Sequence, residues 1–564
     1  MKKLIYLLFL LAFPLQNISA QNIELKWSSK MKYKNSKDGF FEHYVGSSEN
    51  AVYGTFKNYN SNKVSSKKKI KKLKLVAFDK KSMKKINEFS IKNSSDKSRS
   101  SKTKGLNFEK IIVLDEHIIV LWSKYTSGQY EIFAETLDLE LGKKDKIRKI
   151  CTFKNVMSKE SFWTTSSLVF LGSKELGTDV LIGSEIDKGV GKNVGFEYVT
   201  IGTDLKEVSK GTVDLPVLKD ALRPTFISAL YCDYELGIDG NLFIKSNVIL
   251  SKDDRKNAKA GEQIAFSILN VVDIESNNVE TYEIKFDGIN IFDFTLLNEG
   301  DQVKVYGFFS DIEKDPEGLR SHGIFFSTIK DGEMNEPKYT YFDQEALKNE
   351  QHYQIELIKI LDKDHVALFC SQVKNYILTT CQGSSCKSEP LCSKTNVTVF
   401  NLTTKGDIVW SANVARQKTF SGWDVDDLKI VSNENNYYVI YGNSVTSVKQ
   451  SSYTGPFSAK TKSEARGFFD FAVIDKKSGE TVAKEKLVNS SSTPRKERKA
   501  IHTPAIAVFD NQYFISSTKT RINPYILTTG CVFSLFFPPL IAIPILVPGF
   551  KEGTGYLGTI KITK

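Results

Sequence analysis

Apolar and polar positions alternate along nearly the whole chain, and the alternating runs arrive in pairs joined by short polar turns. One kind of pair recurs as LKLVAFDKKSMKKINEFSI from Leu73, EIFAETLDLELGKKDKI from Glu131, VGFEYVTIGTDLKEVSKGTV from Val194 and FSILNVVDIESNNVETYEI from Phe266. It returns as HGIFFSTIKDGEMNEPKYTYF from His322, TVFNLTTKGDIVWSANV from Thr398 and FFDFAVIDKKSGETVAKEKL from Phe468, seven copies in all. A second kind lies between copies: IIVLDEHIIVLW from Ile111, FTLLNEGDQVKVYGF from Phe294, IELIKILDKDHVALF from Ile355 and LKIVSNENNYYVIYG from Leu428. Successive side chains of a strand point to opposite faces, so alternation punctuated by Asp, Asn, Gly and Lys predicts half-buried antiparallel strands joined by hairpin turns.

Two hairpins per repeat make a four-stranded sheet, the blade of a β-propeller. The ending GYLGTIKITK reads as the third strand of an eighth copy, and NIELKWSSKMKY near the start has a strand pattern of its own. Pairing the two closes the ring and removes strand edges that invite aggregation. The expected fold is therefore all-β: a single propeller of eight four-stranded blades, closed by N- and C-terminal strands, with seven blades the alternative. The 544 residues after position 20 divide into eight units of 68. The phrase VIDKKSGETV, Val473 to Val482, resembles the repeats of quinoprotein-like propellers, which include enzymes that bind pyrroloquinoline quinone and non-enzymatic scaffolds of the outer-membrane assembly type. The five Trp of this chain hold no fixed place in the repeat, unlike the regular Trp of those families. The resemblance thus implies fold and no cofactor.

The first twenty residues, MKKLIYLLFLLAFPLQNISA, place Lys2 and Lys3 before an apolar run and end in small residues, the layout of a secretory signal peptide. Residues 21–564 are expected to form one exported propeller domain, in the periplasm or associated with the outer membrane. Lys and Arg total 78 against 66 Asp and Glu. That excess favours anionic partners: lipid, acidic polysaccharide or nucleic acid, of which export disfavours the last.

With the strands of each blade lettered a to d, the long insertions fall between b and c or between d and the next a, connections that leave a propeller on the same face. Four are basic, at 61–72, 92–104, 449–466 and 489–499; together they hold nineteen Lys and Arg against three acidic residues. They belong to blades 1 and 7 and the junctions beside them, neighbours once the ring closes. Between them falls CVFSLFFPPLIAIPILVPGF, 531–550, twenty residues without a charge. Pro538, Pro539, Pro544 and Pro548 remove backbone donors and make a membrane-spanning helix a poor reading. An apolar insertion ringed by cations suits shallow insertion at an anionic membrane surface, or docking on a membrane protein. Phe536, Phe537, Leu540, Ile541, Ile543 and Leu546 are the expected apolar contacts, with Lys67, Lys68, Lys69, Arg495, Lys496, Arg498 and Lys499 engaging acidic groups. Folding of the insertion onto its own propeller, as a purely structural element, is the alternative.

Recognisable catalytic constellations are absent from the sequence. No HExxH or GxSxG occurs among its motifs, and GVGKN near Gly189 lacks the spacing of a phosphate-binding loop. Cys381, Cys386 and Cys392 lie in CQGSSCKSEPLC, read as the b–c loop of blade 6, where a disulfide of Cys381 with Cys386 or with Cys392 would staple the loop. Zinc there would need a fourth ligand such as Cys370. DIEKDPEG, Asp311 to Gly318, is rich in carboxylates but does not match a calcium loop. No metal site is expected. The competing reading from another class is a carbohydrate-active enzyme using carboxylates at the propeller's central channel.

Overall fold

The computed structural model describes the strands from Ile23 to Ile562 and most of the turns between them. Residues 1–22, 60–69, 92–105, 155–167, 216–230, 250–264, 343–351, 422–427, 444–467, 487–505, 523–550 and some shorter stretches lie outside the described residues.

Two short strands open the chain, β1 (Ile23–Trp27) and β2 (Met31–Lys34). Blade 1 comprises β3 (Phe40–Ser47), β4 (Ala51–Tyr59), β5 (Ile70–Asp79) and β6 (Lys85–Ile91). Blade 2 follows with β7 (Asn107–Val113), β8 (His117–Thr126), β9 (Gln129–Asp138) and β10 (Arg148–Phe153). Blade 3 is β11 (Leu168–Leu171), β12 (Val180–Asp187), β13 (Val194–Ile201) and β14 (Glu207–Leu215), and blade 4 is β15 (Tyr231–Leu236), β16 (Leu242–Ile249), β17 (Ala265–Val272) and β18 (Val279–Ile284). In blade 5, β19 (Ile289–Asn298), β20 (Val303–Asp311) and β21 (Gly323–Lys330) precede a divided outer strand, β22 (Glu333–Met334) and β23 (Lys338–Tyr341). Blade 6 has β24 (His352–Ile360), β25 (His365–Gln382), β26 (Ser385–Thr403) and β27 (Ile408–Ser421). Blade 7 has β28 (Leu428–Ser432), β29 (Asn436–Asn443), β30 (Phe468–Asp475) and β31 (Thr481–Lys486); then come β32 (Ile506–Phe509), β33 (Gln512–Ile522) and β34 (Lys551–Ile562).

Each blade is an antiparallel sheet in chain order, except the eighth, whose order is β32-β33-β34-β1, with β2 also on β34. Ile23 faces Ile562 and Trp27 faces Gly558, so a strand from the start of the chain supplies the outer strand of the last blade. The expected eight blades and their closure are thus observed.

The turns follow from local chemistry. At three c–d turns an Asp side chain accepts from the backbone N–H three residues on: Asp79 from Ser82, Asp273 from Ser276 and Asp475 from Ser478. Met83, Asn277 and Gly479 follow with positive φ, the left-handed position that finishes the turn. This Asp-x-x-Ser turn reverses the chain without help from distant residues.

Packing then joins blade to blade. Eight separate apolar clusters occupy the eight seams, for example Phe243 and Ile284 of blade 4 against Ile291 and Phe309 of blade 5. The last two seams involve blade 8: Tyr513 and Ile560 pack with Tyr438 and Phe471 of blade 7, and Phe514 and Leu557 pack with Tyr44 and Phe78 of blade 1. Polar bolts cross the same seams. The buried Tyr513 hydroxyl donates to the Tyr438 carbonyl at 2.5 Å and accepts from the Val431 N–H at 3.1 Å.

One expectation is corrected. CQGSSCKSEPLC is not a loop: β25 and β26 continue as a hairpin through Gln382 and Ser385. Pairing of β25 with β24 ends at Val373, so Lys374–Gln382 and their β26 partners project beyond the inner strand as an arm on the b–c side.

Candidate functional site

Strand direction decides which connections share a face. Since neighbouring strands in a blade run antiparallel, b–c and d–a connections leave on one side and a–b and c–d turns on the other. The described ends flanking the basic segments, Tyr59 and Ile70, Ile91 and Asn107, Asn443 and Phe468, Lys486 and Ile506, therefore lie on the same side as Ile522 and Lys551, which bracket the apolar insertion. Blades 7, 8 and 1, which carry most of these ends, are consecutive through the two seams above. The predicted contacts themselves, Phe536, Phe537, Leu540, Ile541, Ile543, Leu546, Lys67, Lys68, Lys69, Arg495, Lys496, Arg498 and Lys499, lie outside the described residues. Of the segment 61–72, Lys71 and Lys72 belong to β5.

The axis carries a second group of residues that the sequence reading did not single out. First strands of neighbouring blades touch one another, β3 with β7, β11 with β15, β19 with β24, and β28 and β3 with β32, which places them around the centre. Three of them bulge at the same level. Register skips Glu109 in blade 2, Phe292 in blade 5 and Glu356 in blade 6. In each case the skipped residue lies two past the partner of a second-strand serine: Asn107 faces Ser123, Asn290 faces Ser310 and Gln354 faces Ser371. A bulge re-aims one side chain relative to its neighbours. Here Ser123 donates to the Glu109 carboxylate, and Ser371 donates to Glu356 at 2.6 Å. Blades 2 and 6 are four apart in a ring of eight, so the two carboxylates occupy opposite sides of the axis.

The serines belong to a longer series. Thr55, Ser123, Ser184, Ser246, Ser310 and Ser371, one on the second strand of each of blades 1 to 6, are all buried. A hydroxyl closing each apolar run (YGT, LWS, LIGS, FIKS, FFS, FCS) was legible as a recurrence in the sequence, and its significance came only with the register.

Blades 4, 5 and 6 each place charged side chains in contacts near these strands. Lys245 pairs with Asp233 at 2.9 Å, and Lys394, wholly buried, pairs with Glu356 at 2.6 Å. Arg416 donates to the Ser371 hydroxyl at 2.8 Å. Asp293 accepts from the Ile355 N–H across the blade 5 to 6 seam at 2.7 Å. Its side chain stays partly exposed. Burial pushes its carboxyl up to about 7, against the Ile355 N–H and Lys245, which favour the charge. Burial also raises Glu109 and Glu235 above the usual carboxylate range. Asp293 thus holds its proton up to about 7, near a Glu356 that is ion-paired with Lys394.

Cys370 lies eleven residues along β25 from Cys381, roughly 35 Å of extended strand, so the two cannot share a zinc ion. In DIEKDPEG, Asp311 accepts from its own Glu313 N–H and pairs with Lys314 at 3.0 Å, while Asp315 accepts from the Arg320 N–H. These are turn contacts. Among the described residues no group of His, Cys, Asp and Glu could hold a metal ion, and no helix is long and apolar enough to cross a membrane.

The fold defines the class: an eight-bladed β-propeller, as the quinoprotein-like repeats implied. No family model matches the chain, and no curated protein matches it. Among solved structures it is similar to the β-propeller domain of the Trilobed protease from Pyrococcus furiosus, at 10% identity over 79% of this chain and 96% of that one, TM-score 0.33. BamB from Moraxella catarrhalis is similar at 11% identity over 74% and 96%, TM-score 0.29. The polysaccharide lyase Uly1 is similar at 10% identity over 95% and 100%, TM-score 0.35. At these values none of the three transfers a function.

Proposed function

We propose that the protein is an exported, non-enzymatic propeller that binds or scaffolds at a membrane, using the apolar insertion 531–550 and the basic segments around it. Phe536, Phe537, Leu540, Ile541, Ile543 and Leu546 enter the interfacial region or a groove on a membrane-embedded protein. Lys67, Lys68, Lys69, Arg495, Lys496, Arg498 and Lys499 meet anionic headgroups or acidic side chains. One observation supports this reading: β1 and β2 pair with β34, so the strand ends that bracket the insertion, Ile522 and Lys551, belong to the blade that lies between blades 7 and 1. Apolar burial and electrostatic attraction add at a membrane surface, each nearby Lys or Arg contributing ~1 kcal/mol.

The test is flotation of the mature chain with vesicles of anionic and of zwitterionic lipid, alongside pull-down from outer membranes. Wild type is expected to float with anionic vesicles or to retain an outer-membrane protein. The combined Phe536→Asp, Phe537→Asp, Ile541→Asp variant should lose that partition while its far-ultraviolet circular dichroism is unchanged. Equal partition of a folded variant would end the proposal.

A second reading rests on Asp293, whose buried carboxyl, pushed up to about 7, lies near the lysine-paired Glu356, two carboxyl groups of the kind glycoside cleavage uses. Release of reducing sugar from acidic polysaccharide by wild type, abolished in Asp293→Asn, would favour it over membrane binding.

A further inference from the structure

The blade 6 arm brings two cysteines to one register position. Cys381 of β25 is the cross-strand partner of Cys386 of β26, and the pair Gln382–Ser385 closes the hairpin with two residues between. In a two-residue hairpin the closing pair exchanges both backbone hydrogen bonds, so the next pair outward is a non-hydrogen-bonded one, with Cα atoms roughly 4.5 Å apart. Disulfides span Cα separations of about 4.4–6.8 Å. Cys392 stands elsewhere, opposite Asn375 on one side and Phe420 on the other. Six residues of strand, roughly 20 Å, separate it from Cys386.

We propose that Cys381 and Cys386 form a cross-strand disulfide at the tip of the projecting blade 6 hairpin, and that Cys392 takes no part in it. The two thiols lose two protons and two electrons as the S–S bond forms. A disulfide of an oxidising thiol–disulfide exchange partner accepts the electrons and becomes two thiols. The loop closed is short, so its entropic contribution to global stability is small; its effect is on the arm, whose strands Lys374–Gln382 and Ser385–Pro390 pair, among the described residues, with each other alone. Formation in the cell rests on the export proposed above, because reducing compartments keep such pairs as thiols. The pairing geometry does not.

Trypsin distinguishes the pairings. Lys374 and Lys387 bracket both cysteines of the proposed bond, whereas Cys392 falls in the next peptide, Ser388–Lys394. The intact chain is equilibrated with reduced and oxidised glutathione, alkylated and digested without reductant. The expected product is the single peptide Asn375–Lys387, two hydrogens lighter than its dithiol and without alkyl groups. A bridge between that peptide and Ser388–Lys394, glutathione on either cysteine, or alkylation of both under oxidising buffer would overturn the proposal. The same digest on protein alkylated at harvest separates the two ideas: bonded in the glutathione buffer but reduced at harvest upholds the pairing and tells against export.

Discussion

Asp293 shows what a single residue contributes. Its carboxyl is pushed up to about 7 by burial, from 3.8 for an ordinary Asp, so between those values the folded protein holds a proton that the unfolded chain has released. Folded protein then binds more protons than unfolded, and stability falls as pH rises from about 4 to 7. Asp293→Asn keeps an acceptor for the Ile355 N–H and removes the ionisation. Its unfolding free energy should vary less over that range and exceed wild type by about 1–2 kcal/mol above pH 7, after allowing for the carboxyl's residual contact with solvent. Denaturant titrations at several pH values measure this; parallel curves for the two proteins would show that Asp293 does not titrate there. The letter Asp in INIFDFTLLN was visible as an interruption of an apolar strand, but its exposure was not. That depends on the bulge at Phe292 and on the neighbouring blade, neither of which is a property of the segment alone.

At the scale of elements, local and distant interactions separate cleanly. The Asp-x-x-Ser turns were readable because every partner lies within four residues, and the hairpins they close occur where the alternation placed them. The arm of blade 6 was misread as a loop. Gly383, Ser384 and Pro390 resemble turn chemistry, yet Pro390 sits in β26 beyond the end of its pairing with β27, where a missing N–H is tolerated. Seams between blades depend on residues far apart in sequence. Tyr513 joins blade 8 to three backbone groups of blade 7, and Tyr513→Phe leaves the Val431 N–H and Tyr438 carbonyl without this partner. A loss of about 1–3 kcal/mol is expected, read as a lower urea midpoint with unchanged slope. An unchanged midpoint would mean that water replaces the hydroxyl at the seam.

For the molecule as a whole, closure is the decisive contact. Removing residues 21–34 deletes both strands that pair with β34 and leaves its outer edge open. The shortened chain should unfold at lower denaturant and self-associate, seen by size-exclusion chromatography with light scattering. A monomer of wild-type stability would show that the ring holds through the seams alone. Blade 8 has further ties to blade 1: Asp510 accepts from Ser47 at 2.7 Å and pairs with Lys80 at 2.6 Å, across 463 and 430 residues of chain.

The alternation and turn residues by themselves determined that the chain forms paired β-hairpins in a repeat, because those signals arise between residues a few positions apart. Only the tertiary structure decided which carboxylates face one another around the axis and that Cys381 lies opposite Cys386 rather than Cys392. Register, bulges and seams are set by packing between segments that the chain separates by tens to hundreds of residues, and closure brings its beginning and end into one sheet.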